Sequence, residues 1–255
     1  MNDKIKTPIN WDIQKEDILK NCINEFYIIK RDAPYTLKKE KKNPYIVYKH
    51  TYINKFLRTR KNHELEASIQ EEKQICYIIN LNSIIYSLNL ACDLLFYVAS
   101  QNKSILFVGI GKFIEYQIIP AAIRSSSHFI VRKWLCGYLT NWNTTELKLH
   151  KYKNSTLKKK YEFSVEGLKY MTKVPDLVII IIDQENDKYI EFVINECVKL
   201  NLLIICCISS RYHFYSKFVN IFIPINTEHM NAVGYVLKKF ENVIIKGYKK
   251  YLNKE

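Results

Sequence analysis

Two apolar runs in the C-terminal half of the chain constrain the fold more strongly than any other feature. Residues 177–182 have the sequence LVIIII and residues 202–208 have the sequence LLIICCI, so neither run contains a charged side chain. Strands that are apolar at every position are typical of parallel sheets covered by helices on both faces. The intervening residues 187–200 place apolar side chains at i, i+3, i+4 and i+7, which predicts an amphipathic helix. A strand, a helix and a strand in this order predict a right-handed parallel crossover.

The alternation of strands and helices extends over most of the chain from residue 75. Doubly wound α/β domains, in which helices cover both faces of a parallel sheet, show this pattern. The sequence predicts further strands at 75–80, 104–108, 129–131 and 219–223, helices at 83–100 and 113–124, a long C-terminal helix that Thr227 caps, and an N-terminal helix at 11–30.

Two segments depart from this alternation and divide the chain. Residues 49–74 are charge-rich and have no clear period, so we expect an insertion that is partly helical at best. Residues 143–172 are rich in Lys and poor in apolar side chains, which favours a helical hairpin projecting from the body. The predicted parts are therefore an N-terminal helix and basic loop at 1–48, the insertion, an α/β domain at 75–142 and 173–250, and the protrusion.

The charge balance bears on the class of partner. The chain has 39 Lys and Arg residues against 25 Asp and Glu residues, a formal net charge of +14. Such a surplus favours a polyanion, either a nucleic acid or an anionic membrane, over a basic surface without function. No run of about 18 apolar residues is present, so we expect no membrane-spanning helix and no membrane partner. The abundance of Lys, Ile, Asn and Tyr is typical of an A+T-rich genome such as many organelles have, and we expect no signal or transit peptide.

A glycine turn follows the predicted strand at 104–108. Gly109 and Gly111 fit the first two glycines of the dinucleotide-binding motif G-x-G-x-x-G, but Ile114 replaces the third. The phosphate-binding loop G-x-x-x-x-G-K-[ST] lacks both its first glycine and its final hydroxyl residue. These departures favour a turn that glycine merely permits over a nucleotide site.

No catalytic or metal-binding pattern stands out. Asp183 ends the strand at 177–182, where α/β enzymes often place a base or a metal ligand, but it is followed by Gln184, Glu185 and Asp187, which are typical of a helix start. The seven cysteines form no C-x-x-C pair, and no G-x-S-x-G or H-E-x-x-H motif occurs. We therefore expect no enzyme activity, no cofactor and no metal.

Residues 128–145, HFIVRKWLCGYLTNWNTT, combine cations, aromatic rings and amides in one connection. Cations that meet phosphates and rings that stack on bases suit RNA. An aromatic plug that packs on the sheet edge, with its charges in solvent, explains the same composition equally well.

The segment KWLCGYLTN at 133–141 resembles the signature R-W-L-G-G-x-L-T-N of the small ribosomal subunit protein two (S-two) family. ILFVGIGK at 105–112 is similar to the family's I-L-F-V-G-T-K-K, and MTKVPDLVIIIID at 171–183 is similar to its M-x-x-L-P-D-x-x-x-V-V-D. Order and spacing agree over about residues 11–250. Residues 49–74 have no counterpart in this comparison, and the early G-V-H-F-G-H stretch of the family is lost.

The resemblance implies a doubly wound parallel sheet of the Rossmann or flavodoxin type with a helical protrusion. It implies a structural constituent of the small ribosomal subunit that lies between head and body near the mRNA exit and supports translation. The implied partners are small-subunit ribosomal RNA and neighbouring small-subunit proteins, with mRNA nearby. The sequence drift favours an organellar ribosome, and a mitochondrial over a plastid one.

The candidate site residues follow from the resemblance and from the basic clusters. Trp134, Gly137 and Gly109 are expected to be structural, with Trp134 packed against the sheet. Two alternative functions remain. One is a Rossmann-like enzyme binding NAD or a sugar nucleotide, which needs an intact glycine turn. The other is a basic RNA-binding module outside the ribosome. The expected rRNA-binding residues are Lys38, Lys39, Lys41, Lys42, Arg132, Lys133, Asn141, Trp142, Lys158, Lys159 and Lys160.

Overall fold

The computed structural model describes Trp11, Ile13 and residues 46–58, 68–154 and 166–253. Its elements in chain order are strands and helices that we number as follows: β1 (Ile46–Arg58), β2 (Ser68–Ile79), α1 (Leu81–Ser100), β3 (Ile105–Ile110), α2 (Ile114–Arg124), β4 (His128–Val131), α3 (Trp142–Asn154), β5 (Leu177–Ile182), α4 (Lys188–Lys199), β6 (Leu203–Ile208), β7 (Ile221–Pro224) and α5 (Met230–Leu252).

Five strands form one parallel sheet in the order β4-β3-β5-β6-β7. From β3 the chain crosses to β4 at one side, and from β5 it proceeds through β6 to β7 on the other side. The direction of winding therefore changes between β3 and β5. A sheet of this order with helices on both faces is the doubly wound α/β fold that the alternation of elements predicts.

Two apolar layers cover the two faces of this sheet. Along β3, Ile105 and Phe107 point into the first layer, with α1, α2 and α5, while Leu106 and Val108 point into the second, with α4. Every residue of β3 and β5 is buried. Burial on both faces is the reason why these strands are apolar at consecutive positions rather than at alternate ones.

The predicted bounds of the parallel strands and of their helices agree with the structure to within about two residues. Thr227 does not cap α5, so that prediction is wrong. The helix begins at Met230, and His229 precedes it without a side-chain cap. Asn226 stabilises the turn before the helix instead, because its Oδ1 accepts a hydrogen bond from the Glu228 amide at 3.2 Å.

The segment at 49–74 was predicted to be partly helical at best, and this is wrong for its described residues. β1 and β2 pair as a long antiparallel hairpin, with Ile46 opposite Ile79 and Arg58 opposite Ser68. The strand predicted at 75–80 is the end of β2, so it lies in this hairpin and not in the parallel sheet. The sequence of β1 is rich in β-branched and aromatic residues, which favour strands, but the charges among them obscure the period.

α1 is long and apolar enough to cross a membrane by length and composition alone, although no such segment was expected. Its face with Leu88 and Leu95 is fully buried in the first layer, where α5 packs alongside. Trp11 covers another part of α1, because its ring meets Phe96 edge-on at 5.3 Å and its Nε1 donates to Asp93.

The predicted protrusion is described only at its two ends. α3 occupies its first part, and Leu149 of α3 is buried in the second layer. At the other end, Leu168 and Met171 are buried in the same layer. Residues 155–165, as well as the remainder of the helix predicted at 11–30, lie outside the described residues.

Candidate RNA interface

The connection after β4 turns sharply back as soon as the strand ends. Arg132 has a φ of 72°, a left-handed conformation that a residue with a Cβ adopts only under constraint. The Lys133 amide then donates to the Val131 carbonyl at 2.9 Å. Both basic side chains are exposed next to the sheet edge that β4 forms.

The inner side of this connection packs into the second layer. Trp134 is 3% exposed, and its ring meets that of Tyr138 edge-on at a centroid distance of 5.5 Å. Leu139 is buried beside them. The tryptophan thus belongs to the core, the position that its expected structural role requires.

A single carboxylate, that of Glu196, organises the backbone of the connection. Glu196 is buried on α4. Its Oε1 accepts Trp134 Nε1 at 2.9 Å and the Gly137 amide at 2.7 Å. Its Oε2 accepts the amides of Leu139 and Thr140 at 3.1 and 3.2 Å and the Thr140 hydroxyl at 3.3 Å. Hydrogen bonds to the charged form offset the cost of burying it, and they hold the connection in one conformation.

Sequence reasoning missed Glu196, although one signal was present. The helical pattern of α4 places apolar, buried residues such as Val193 and Cys197 on one face. Glu196 lies on the same face, three residues after Val193. Acids are rarely buried unless they are paired or hydrogen-bonded, so a glutamate on an apolar face indicates such partners.

Gly137 permits the turn that brings three amides towards Glu196. Its φ is 91°, in the left-handed region that favours glycine. An added Cβ would also lie 3.0 Å from Asn141 Nδ2. Cys136, which replaces a glycine of the family signature, is exposed.

The outer side of the connection carries the exposed polar groups. Lys133, Thr140 and Asn141 are exposed. Arg132 is half-exposed, and its Nε donates to Glu115 at 2.8 Å, which orients the guanidinium. Trp142 was predicted to bind RNA, but it is partly buried against the second layer and offers only part of its surface to a ligand.

The structure therefore describes the four predicted residues of this connection, of which three are exposed and Trp142 is partly buried, and leaves the other clusters undescribed. The basic loop with Lys38, Lys39, Lys41 and Lys42 lies outside the described residues, and so do Lys158, Lys159 and Lys160.

The glycine turn after β3 is occupied by a carboxylate of the protein itself. Asp183 Oδ2 accepts the Lys112 amide at 3.3 Å, and Oδ1 accepts the Asn186 amide at 3.0 Å. A Cβ on Gly111 would lie 2.5 Å from Asp183 Oδ2, so glycine is needed for this approach. In nucleotide-binding folds this turn faces a phosphate, which a carboxylate at the same place repels.

Gly109 has a packing role two residues earlier, inside β3. A Cβ there would overlap the Cδ1 atom of Ile118, so the glycine allows α2 to lie close to β3. Among the residues that the structure describes, no three His, Cys, Asp or Glu side chains cluster as metal ligands would.

Comparison with known families identifies the chain. The family model described as Ribosomal protein S2 matches residues 56–247, which is three quarters of the sequence. The chain belongs to the ribosomal protein S2 family. The match covers the parallel sheet, the connection after β4 and most of α5, and it begins inside the segment predicted to lack a family counterpart. As a member of the ribosomal protein S2 family, the chain is a structural protein of the small ribosomal subunit, and the family is not one of enzymes.

Proposed function

We propose that this protein is a constituent of the small subunit of an organellar ribosome and binds small-subunit rRNA through the outer side of residues 132–141. The observation that carries the proposal is the division of this connection into two sides. Its inner side is buried and hydrogen-bonded to Glu196, and its outer side exposes Arg132, Lys133 and Asn141.

Each exposed group suits a different feature of RNA. Lys133 can neutralise a phosphate, and the released counterions favour association. The bond from Arg132 Nε to Glu115 orients the guanidinium, a group whose planar geometry suits phosphate oxygens. The Asn141 amide can donate to and accept from a base edge or a ribose. Because the backbone is already fixed by Glu196, little conformational entropy is lost on binding.

The organellar setting rests on composition and divergence. The net charge of +14 suits an rRNA partner, and the residue usage is typical of an A+T-rich genome. We infer a mitochondrial rather than a plastid ribosome, with the protein between head and body near the mRNA exit and in contact with neighbouring small-subunit proteins. Mass spectrometry of ribosomes purified from each organelle tests this, because the protein should be present in the mitochondrial small subunit.

The rRNA contact is tested by replacing Arg132 and Lys133 together with alanine. The matched control replaces Lys238 and Lys246, which are exposed on α5 at the opposite face of the sheet. Small-subunit fractions from density gradients should contain less of the double variant than of the control at raised salt, since two phosphate contacts are lost.

The melting temperature of the double variant should stay close to that of the wild type, because exposed ion pairs contribute little to stability. Wild-type incorporation of the double variant at raised salt would refute the proposed contact. Absence of the protein from every ribosome fraction would instead favour a basic RNA-binding protein that acts outside the ribosome.

A further inference from the structure

The end of the sheet at which the parallel strands begin, which we call its amino edge, carries a second set of features that suit RNA. Three loops meet there, at residues 101–104, 173–176 and 200–203. The Ser104 amide donates to Asp176 Oδ2 at 2.9 Å, and the Asp176 amide donates back to the Ser104 carbonyl at 3.0 Å. The Leu203 amide donates to the Asp176 carbonyl at 3.3 Å. These bonds join the three loops into one rim.

The rim surrounds an open cleft of about 420 Å³. Its walls combine apolar side chains, such as Leu200 and Leu202, with polar groups from Lys103 and Asp176. A concave site lined by both polar and apolar groups can accept a base or a sugar of a nucleotide.

The charge at this edge is strongly positive. Residues 101–104, 169–176 and 199–203 contain four lysines and one acid, Asp176. Partial burial opposes the ionisation of Asp176, but hydrogen bonds from Ser104 and the charge of Lys173 outweigh it and hold the pKa of this carboxyl below its ordinary value. The acid is thus ionised and already engaged within the rim, and the lysines exceed it by three charges.

One aromatic ring stands out from this surface. Tyr170 is 77% exposed, more than any other large apolar or aromatic side chain at residues 80–150 and 166–253. Its neighbours Leu168 and Met171 are buried, and the Met171 amide donates to the Leu168 carbonyl at 2.9 Å. The backbone is therefore anchored while the ring projects into solvent, with Lys169 Nζ 5.5 Å from its centroid.

We propose that Lys103, Tyr170, Lys173 and Lys199, which we name the amino-edge surface, bind a single-stranded or looped segment of RNA. One base stacks on Tyr170, and the lysines contact the phosphates that flank it. Stacking on an exposed ring beside cations is a recurrent way to bind unpaired RNA. The inference rests on the proposed function in that rRNA is the partner.

α4 links the amino-edge surface to the connection at 132–141. Lys199 lies three residues, about one helical turn, after Glu196, which fixes that connection.

Binding is tested with the full chain and a fluorescently labelled oligouridine of about 12 nucleotides, a length within the usual range for single-strand sites. Tyr170→Ala should weaken binding by about 5- to 100-fold, and Tyr170→Phe should retain it, because stacking needs the ring and not the hydroxyl. The control Tyr116→Ala removes a ring that is 68% exposed on α2 and should change nothing.

The lysines are tested by salt dependence. Replacing Lys103, Lys173 and Lys199 with alanine should reduce the slope of log K against log salt by about 2, since each phosphate contact on a single strand contributes about 0.7. Thermal melts should show that the variants remain folded.

Three outcomes separate this inference from the proposed function. Equal losses from Tyr170→Ala and Tyr116→Ala, or no loss from either, would overturn the inference. If Arg132 and Lys133 are needed for incorporation into small subunits while the amino-edge variants behave as wild type, the inference fails and the proposed function stands. If the amino-edge variants bind oligouridine normally but no longer enter small subunits, the surface binds a protein and the RNA inference is wrong.

Discussion

Replacement of Glu196 with Gln should destabilise the protein although it changes only one atom. A glutamine has one acceptor oxygen and one NH2 donor group in place of two acceptors. If its oxygen takes the place of Oε1, the amides of Leu139 and Thr140 face a donor. If it takes the place of Oε2, Trp134 Nε1 and the Gly137 amide face a donor instead. Two N–H donors lose their acceptor in either orientation, whereas the Thr140 hydroxyl can rotate and accept instead.

The cost follows from the number of donors left without a partner. Each buried donor without an acceptor costs about 1–3 kcal/mol, and some of these donors can turn towards water, so the loss should be roughly 2–4 kcal/mol. For a chain of this size, this corresponds to a decrease of about 5–15 °C in the melting temperature.

Urea unfolding followed by circular dichroism measures the free energy of unfolding. Glu191→Gln is the matched control, because Glu191 is exposed on the same helix and its replacement should stay within about 0.5 kcal/mol of the wild type. Amide hydrogen exchange should also become faster at Gly137, Leu139 and Thr140 in the Glu196 variant. Equal stability of the two variants, with unchanged exchange, would refute the role of Glu196 in holding the connection.

Three further predictions concern the body of the protein. Gly109→Ala should lower the free energy of unfolding by about 1–3 kcal/mol, because the new methyl group overlaps Ile118. Gly234→Ala in α5 meets only ordinary contacts, so thermal melts should show that it stabilises the protein by about 0.5–1 kcal/mol. Burial holds the pKa of His128 below its ordinary value. As the pH falls below about 6.5, the histidine of the unfolded chain therefore binds a proton before that of the folded chain does, so the free energy of unfolding should decrease from about pH 7.5 to 5.5. His128→Asn should flatten this pH dependence. An unchanged pH dependence in the variant would contradict the assignment of the effect to His128. Millimolar NAD, ATP or GTP should leave the melting temperature unchanged, since Asp183 occupies the glycine turn; saturable stabilisation by any of them would contradict this.

The hairpin of β1 and β2 shows where prediction from local pattern ends. A strand in the parallel sheet is buried on both faces, and its continuous apolar run is visible in any short window of sequence. The residues of β1 and β2 mix charged, aromatic and β-branched side chains, so neither a period of two nor one of 3.6 dominates. The pairing of Arg58 with Ser68 and of Ile46 with Ile79 depends on the partner strand, which no single window contains.

The sequence by itself determined the parallel sheet and its helices, because apolar periodicity reports which side of each element meets the core. The residues around Trp134 suited an RNA contact and a core position equally well, and only the family resemblance favoured the core. The tertiary structure alone decided what fixes the candidate site. Glu196 is 62 residues from Trp134, and Asp183 is 71 residues from Lys112, whose amide donates a hydrogen bond to it. Such contacts depend on which strands become neighbours and how closely their connections approach. A hydrogen bond is made only over about 3 Å, so its partners are set by the three-dimensional arrangement of the chain and leave no period in the sequence.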